Sequence, residues 1–215
     1  MSQTNQVAGP HQDQPVYQSG STLDKAQAAM IMIHGRGATA QDILTLTLEL
    51  EVPYFAFLAP QAAGYTWYPY RFLEPVERNQ PGISSGLQVI GNLIGQLNEN
   101  GIPAERVFLL GFSQGACLAL EYAARHTHRY GGIIGLSGGL IGPQISPDDY
   151  SGSLGQTPVF LGCSDIDPHV PRERVEESAA IFQKLDGKVT MRFYPDMGHT
   201  VNQDEIDFII QMVRG

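Results

Sequence analysis

The most constraining stretch of this chain is Val107-Phe-Leu-Leu110 followed without a linker by Gly111-Phe-Ser-Gln-Gly115 and then by the small-residue pattern Ala116, Ala119, Leu120, Ala123. A short run rich in Val, Phe and Leu reads as a strand buried on both faces. The pattern after the glycines reads as a helix, so the order is strand, tight turn, helix, with Ser113 at the apex. Glycines on either side of the apex let strand and helix backbones approach closely, and the helix start turns free N–H groups toward any anion that forms beside the serine. Gly-x-Ser-x-Gly also occurs around Ser84 and Ser137. No strand feeds the first of these, after Glu77-Arg-Asn-Gln-Pro81, and no helix receives the second. Ser113 is therefore the candidate nucleophile, and the other two serines read as turn or helix-cap residues.

The rest of the chain repeats the alternation. Apolar runs at Ala28–His34, Tyr54–Ala59, Arg106–Leu110, Gly132–Leu136, Pro158–Gly162 and Lys188–Tyr194 read as strands, with an edge strand at Pro15–Ser19. Between them lie helical patterns at Ala40–Leu50, from Ile83 to Leu97, at Gln114–Arg125, at Pro171–Leu185 and around Ile206 to Val213. Strands alternating with helices predict βαβ units: one α/β domain with a mostly parallel sheet, helices on both faces and no cap domain. Residues 1–14 read as a mobile tail and 15–215 as the domain. Gln61–Gln80 is an irregular segment dense in aromatics, and Gly138–Gln156 reads as loop.

In such a sheet, ligands bind beyond the carboxyl ends of the strands. A serine hydroxyl needs a positioned base, and that base needs an orienting group. His126 and His128 lie at the far end of the helix that starts at Ser113, roughly 20 Å along its axis. His169 and His199 both follow strand ends, and His199, directly after the last strand, is the better placed. Asp165 and Asp167 follow the preceding strand, and spacing does not separate them. The order Ser, Asp, His is that of α/β-hydrolase folds. The N–H groups of Gln114 and Arg36, the latter in the Gly35-Arg-Gly37 turn after the first buried strand, are the candidate oxyanion donors. Trp67, Tyr68 and Phe72 are candidates for an aromatic substrate wall, and His169 for its border.

Four blocks, His34-Gly-Arg-Gly37, Gly111-Phe-Ser-Gln-Gly-Ala116, Asp167-Pro-His-Val-Pro171 and Gly198-His-Thr-Val201, resemble the phospholipase/carboxylesterase family of small α/β-hydrolases, acyl-protein thioesterases included. The resemblance implies Asp167 as the triad aspartate, before Pro-x-Val-Pro, and N–H donors at Arg36 and Gln114. Arg36 and Trp67-Tyr-Pro-Tyr70 depart from the eukaryotic thioesterase pattern, and His-Gly-Arg-Gly-Ala is closer to the bacterial carboxylesterases. The expected function is hydrolysis of small or medium carboxylic esters, aromatic ones among them, through Ser113, His199 and Asp167. The rivals are an acyl-protein thioesterase or lysophospholipase and, from another class, a non-catalytic small-molecule receptor on the same fold.

The net charge of −9 argues against a general nucleic-acid binder. No apolar run nears the roughly 20 residues that span a bilayer, and no basic segment with an apolar one after it opens the chain. Cys117 and Cys163 read as small buried hydrophobes, which fits a cytoplasmic enzyme. No metal or other cofactor is implied. The expected partner is a small-molecule ester, with no nucleic acid and no membrane insertion; a homodimer is the one further association the reading admits.

Overall fold

The computed structural model describes residues 9–50 and 52–214. Seven strands form one sheet in the order β1-β3-β2-β4-β5-β6-β7: β1 (Val16–Gly20), β2 (Ala28–Ile33), β3 (Phe55–Pro60), β4 (Val107–Phe112), β5 (Gly132–Leu136), β6 (Pro158–Ser164) and β7 (Lys188–Tyr194). Only β1 runs antiparallel, pairing with β3 at the sheet edge; every other pairing is parallel. Residues alternate across the pleat. Ile31, Ile33 and Leu109 pack on one face, with the core under α3 (Gly82–Glu99), α4 (Gln114–Arg125) and α5 (Arg172–Lys184). Met30, Met32, Phe108 and Leu110 pack on the other, beneath α1 (Ala40–Leu44), α2 (Thr47–Leu50) and α6 (Gln203–Arg214). The central strands are apolar at every position because both faces are covered.

Two expectations need correction. The helix expected over Ala40–Leu50 is two short helices. Thr45 Oγ1 donates to the Asp42 carbonyl (2.6 Å) and Thr47 Oγ1 to the Leu44 carbonyl (2.7 Å), and hydroxyls that take carbonyls in this way compete with the helical ladder. The tail expected over residues 1–14 is docked in its described part. His11 is 3% exposed. Its backbone N–H donates to Ser85 Oγ (3.0 Å), its Nδ1 accepts from the Ala63 N–H (3.1 Å), and its Nε2 therefore donates to the Trp67 carbonyl (2.9 Å). Residues 1–8 lie outside the described residues.

Helix ends set where the chain can turn toward the site. α3 stops at Asn100, where Gly101 takes φ +82° and the Ile102 N–H reaches back to the Leu97 carbonyl (2.9 Å). α6 starts with a reciprocal cap: the Glu205 N–H donates to Asn202 Oδ1 (2.9 Å) and the Asn202 N–H to Glu205 Oε2 (3.0 Å).

Candidate active site

At the end of β4 the chain turns so sharply that Ser113 takes φ 55°, ψ −118°, a conformation an L-residue adopts only where its surroundings enforce it. The flanking glycines are the enforcement. A Cβ at Gly111 would lie 2.3 Å from the Gly115 carbonyl oxygen, and one at Gly115 would lie 2.1 Å from that of Ile33. With both absent, α4 begins directly behind the serine, whose hydroxyl stands beyond the carboxyl ends of β2, β4 and β5.

Two further loops bring their side chains to the same rim. The loop after β7 carries His199, and Ser164 Oγ at the end of β6 donates to the Met197 carbonyl, tying this loop to its neighbour. The loop after β6 carries Asp167. Ser113 Oγ lies 2.8 Å from His199 Nε2, and His199 Nδ1 lies 2.7 Å from Asp167 Oδ2. An ionised carboxylate only accepts, so Nδ1 carries the proton and Nε2 is left to accept from the serine. Asp167 Oδ1 also takes the N–H groups of His169 (2.8 Å) and Val170 (3.1 Å). Burial works against its ionisation, but the bond from His199 and those two N–H groups outweigh it, and the carboxyl is held below its ordinary range. Asp165 faces elsewhere and accepts the Asp196 N–H (3.1 Å). His169 sets its ring edge-on to His199, centroids 4.9 Å apart. His126 stays at the end of α4, stacked on Tyr122.

Gly35 packs against the turn, where a Cβ would lie 3.4 Å from that of Ser113, and the N–H groups of Arg36 and Gln114, on either side of this contact in sequence, donate no backbone hydrogen bond among the described residues. Their side chains have a different job, which the sequence did not reveal. Gln114 Oε1 accepts the Trp67 N–H (2.8 Å) while its Nε2 donates to the Tyr68 carbonyl (2.8 Å). Arg36 donates to the carbonyls of Pro69 (2.8 Å) and Tyr70 (2.6 Å). Asn79, buried, accepts the Tyr70 N–H (2.8 Å) and donates to the Arg71 carbonyl (3.0 Å). Three polar side chains thus pin the aromatic loop from both sides.

That loop walls a cavity of about 530 Å³ that opens onto Ser113 and His199. Its buried side is Tyr68, Phe72, Cys117 and Val170, and its exposed rim carries Arg36, Arg71, Arg78 and Tyr70. Burial raises the Cys117 thiol to about 11, so this cysteine presents a protonated, apolar surface to the cavity. Of the expected wall, Tyr68, Phe72 and His169 line the cavity. Trp67 does not: it is 1% exposed, lies between the rings of His11 and His34, and donates from Nε1 to the His34 carbonyl (3.0 Å). It is the core anchor of the loop. No group of three His, Cys, Asp or Glu among the described residues is placed to hold a metal ion.

The model of the phospholipase/carboxylesterase family matches residues 18–214, nearly the whole chain. The chain belongs to the phospholipase/carboxylesterase family. Members of this family are ester hydrolases, and the solved structures and curated relatives agree with the assignment. The crystal structure of a phospholipase/carboxylesterase from Dyadobacter fermentans superposes with a TM-score of 0.92 at 42% identity, over 95% of this chain and 98% of that one. An acyl-protein thioesterase 1 from Kluyveromyces lactis is 30% identical over 90% of this chain and 93% of its own length. The acyl-protein thioesterase 1 of Gibberella zeae is 36% identical, but that match takes in 62% of this chain and 57% of the relative. No helix among the described residues is long and apolar enough to cross a membrane.

Proposed function

We propose that the chain is a serine carboxylesterase acting through Ser113, His199 and Asp167. The observation that carries this reading is the unbroken chain of hydrogen bonds, 2.8 Å and 2.7 Å, from hydroxyl to imidazole to carboxylate at the mouth of the cavity. Ser113 Oγ attacks the ester carbonyl as His199 Nε2 takes its proton. Asp167 holds the ring in the tautomer that makes this possible and stabilises the imidazolium that forms. The oxyanion of the tetrahedral intermediate accepts from the N–H groups of Arg36 and Gln114. His199 then passes the proton to the leaving alcohol. In the second half-reaction, water, deprotonated by the same imidazole, releases the acid from the acyl-enzyme.

The apolar depth of the cavity, formed by Tyr68, Phe72, Cys117 and Val170, suits a short or medium acyl or aryl group. Thioesters are the second reading, favoured by the curated relatives that are named acyl-protein thioesterases; the chemistry is shared and only the pocket discriminates. Two free, buried cysteines suit a reducing compartment, and we place the enzyme in the cytoplasm with a small-molecule ester as partner. The test is turnover of 4-nitrophenyl butyrate, with a chain-length series of oxygen esters set against matched acyl thioesters. Wild type turns over the short ester, and Ser113→Ala abolishes it. A folded wild-type protein that binds but does not cleave any member of the series would make it a receptor.

A further inference from the structure

A chain with a net charge of −9 and 13 lysines and arginines places three arginines around one cavity mouth, Arg36, Arg71 and Arg78. Their hydrogen bonds separate them. Arg36 spends both terminal nitrogens on the carbonyls of Pro69 and Tyr70. Arg78 is paired with Glu74 (2.7 Å), the one carboxylate on the cavity rim among the described residues, and lies over the Tyr70 ring. The Arg71 side chain makes one long bond among the described residues, Nη2 to the His169 carbonyl at 3.3 Å. A guanidinium has five N–H donors in a planar fork, so most of this one's capacity faces solvent at the cavity mouth. Its main chain is held, because Asn79 donates to the Arg71 carbonyl (3.0 Å), and its guanidinium reaches the loop of His169, whose ring packs on His199.

We propose that Arg71 is a specificity-determining residue that selects esters carrying a carboxylate a few bonds from the scissile carbonyl. The proposal rests on the ester-hydrolase reading above and deepens it by naming the substrate class. The planar edge of one guanidinium matches one carboxylate with two parallel N–H···O bonds. Arg36 and Arg78 are committed to protein partners and add positive potential without offering a second fork. A phosphate would meet the same single fork with its second charge left unpaired, whereas a carboxylate's one charge is matched in full.

The experiment compares mono-4-nitrophenyl adipate with its neutral methyl ester, following nitrophenolate release in wild type, Arg71→Gln and Arg71→Lys. Wild type prefers the carboxylate-bearing ester in kcat/KM by about tenfold, the scale of one charge-assisted contact. The preference shrinks as salt is raised from about 50 to 500 mM, which screens an exposed charge. In Arg71→Gln the ratio falls to near one, and Arg71→Lys keeps part of it. A purely structural role for the Arg71–His169 bond would alter both esters equally and leave the ratio intact, and that result overturns the proposal, as does a wild-type preference for the neutral ester. Failure of wild type to cleave either ester would overturn the hydrolase reading and this inference with it. Cleavage of both at equal rates overturns this inference alone.

Discussion

Asp165 and Asp167 stand two positions apart in one loop, and their neighbours alone give them different work. Asp167 is met by an imidazole and two backbone N–H groups, Asp165 by one N–H of the adjacent loop. Asp167→Asn puts the wrong tautomer in front of the serine and lowers kcat by about 10⁴, the cost known for the serine protease triad. Asp165→Asn leaves kcat little changed. Steady-state kinetics of the two variants checks both statements, and the reverse ranking would refute the assignment. Spacing leaves this pair unresolved, because both residues follow the same strand end and only the turn between them decides which one faces His199. Trp67 is the opposite case. Its segment has no helical or strand period from which to read side-chain direction, so an aromatic in the core and an aromatic on a pocket wall look alike in sequence. The sequence reading of Gln114 concerns its backbone N–H alone, while its side chain acts across 47 positions of sequence on Trp67.

Among the elements, the β4–α4 turn is the most legible, since its chemistry is local: a buried strand, glycines where backbones touch, a small-residue helix. Gly115→Ala drives a methyl into the carbonyls of Ile33 and His34, neither of which can move without shifting β2. Denaturant unfolding should show a loss of at least about 1–3 kcal/mol, the range for overpacking, together with loss of activity from displacement of Ser113. A variant of unchanged stability would mean that α4 does not sit against β2 as described. The buried parallel strands were legible for the same reason, their apolar runs being continuous. Two elements were not. The break between α1 and α2 depends on threonine hydroxyls choosing backbone carbonyls, which propensity alone does not fix. The docking of residues 9–14 depends on a polar residue, His11, finding three partners distant in sequence, Ser85 in α3 and Ala63 and Trp67 in the aromatic loop.

Taken as a whole, the molecule holds ionisable groups whose burial opposes their charged forms. Burial lowers both His11 and His34, outweighing the backbone hydrogen bonds they donate. His34 accepts the Ala62 N–H (3.1 Å) as His11 accepts that of Ala63, so a proton on either ring breaks a bond in the loop that carries Trp67. Their folded values lie below the ordinary 6.5, so below that pH the unfolded chain takes up protons first. The stability they contribute is complete above pH 6.5 and is lost as pH falls toward the folded values. Denaturation midpoints should therefore drop between about pH 7.5 and 5.5, and His11→Asn should be less stable at the higher pH yet lose less on acidification. Glu205 has the opposite sign. Buried in the α6 cap with Oε1 against Gly162 and without a hydrogen-bond partner, its carboxyl is raised from 4.5 to about 7 by burial. Its contribution is present below 4.5 and is lost as pH rises to 7. Glu205→Gln should gain on wild type as pH is raised from about 5 to 8, by a few kcal/mol at most. A difference that does not change with pH would contradict a buried, protonated Glu205.

The central claim is that Ser113, alone among three serines in Gly-x-Ser-x-Gly settings, is the nucleophile activated by His199. Ser84 is tied to Gln80 in the first turn of α3, and Ser137 is fully buried at the end of β5. The most direct measurement is intact-protein and peptide mass spectrometry after treatment with an alkyl fluorophosphonate. We predict a single adduct, on the peptide holding Ser113, formed in step with loss of esterase activity and abolished in His199→Ala. An adduct on Ser84 or Ser137, or esterase activity that survives full modification of Ser113, would contradict the account.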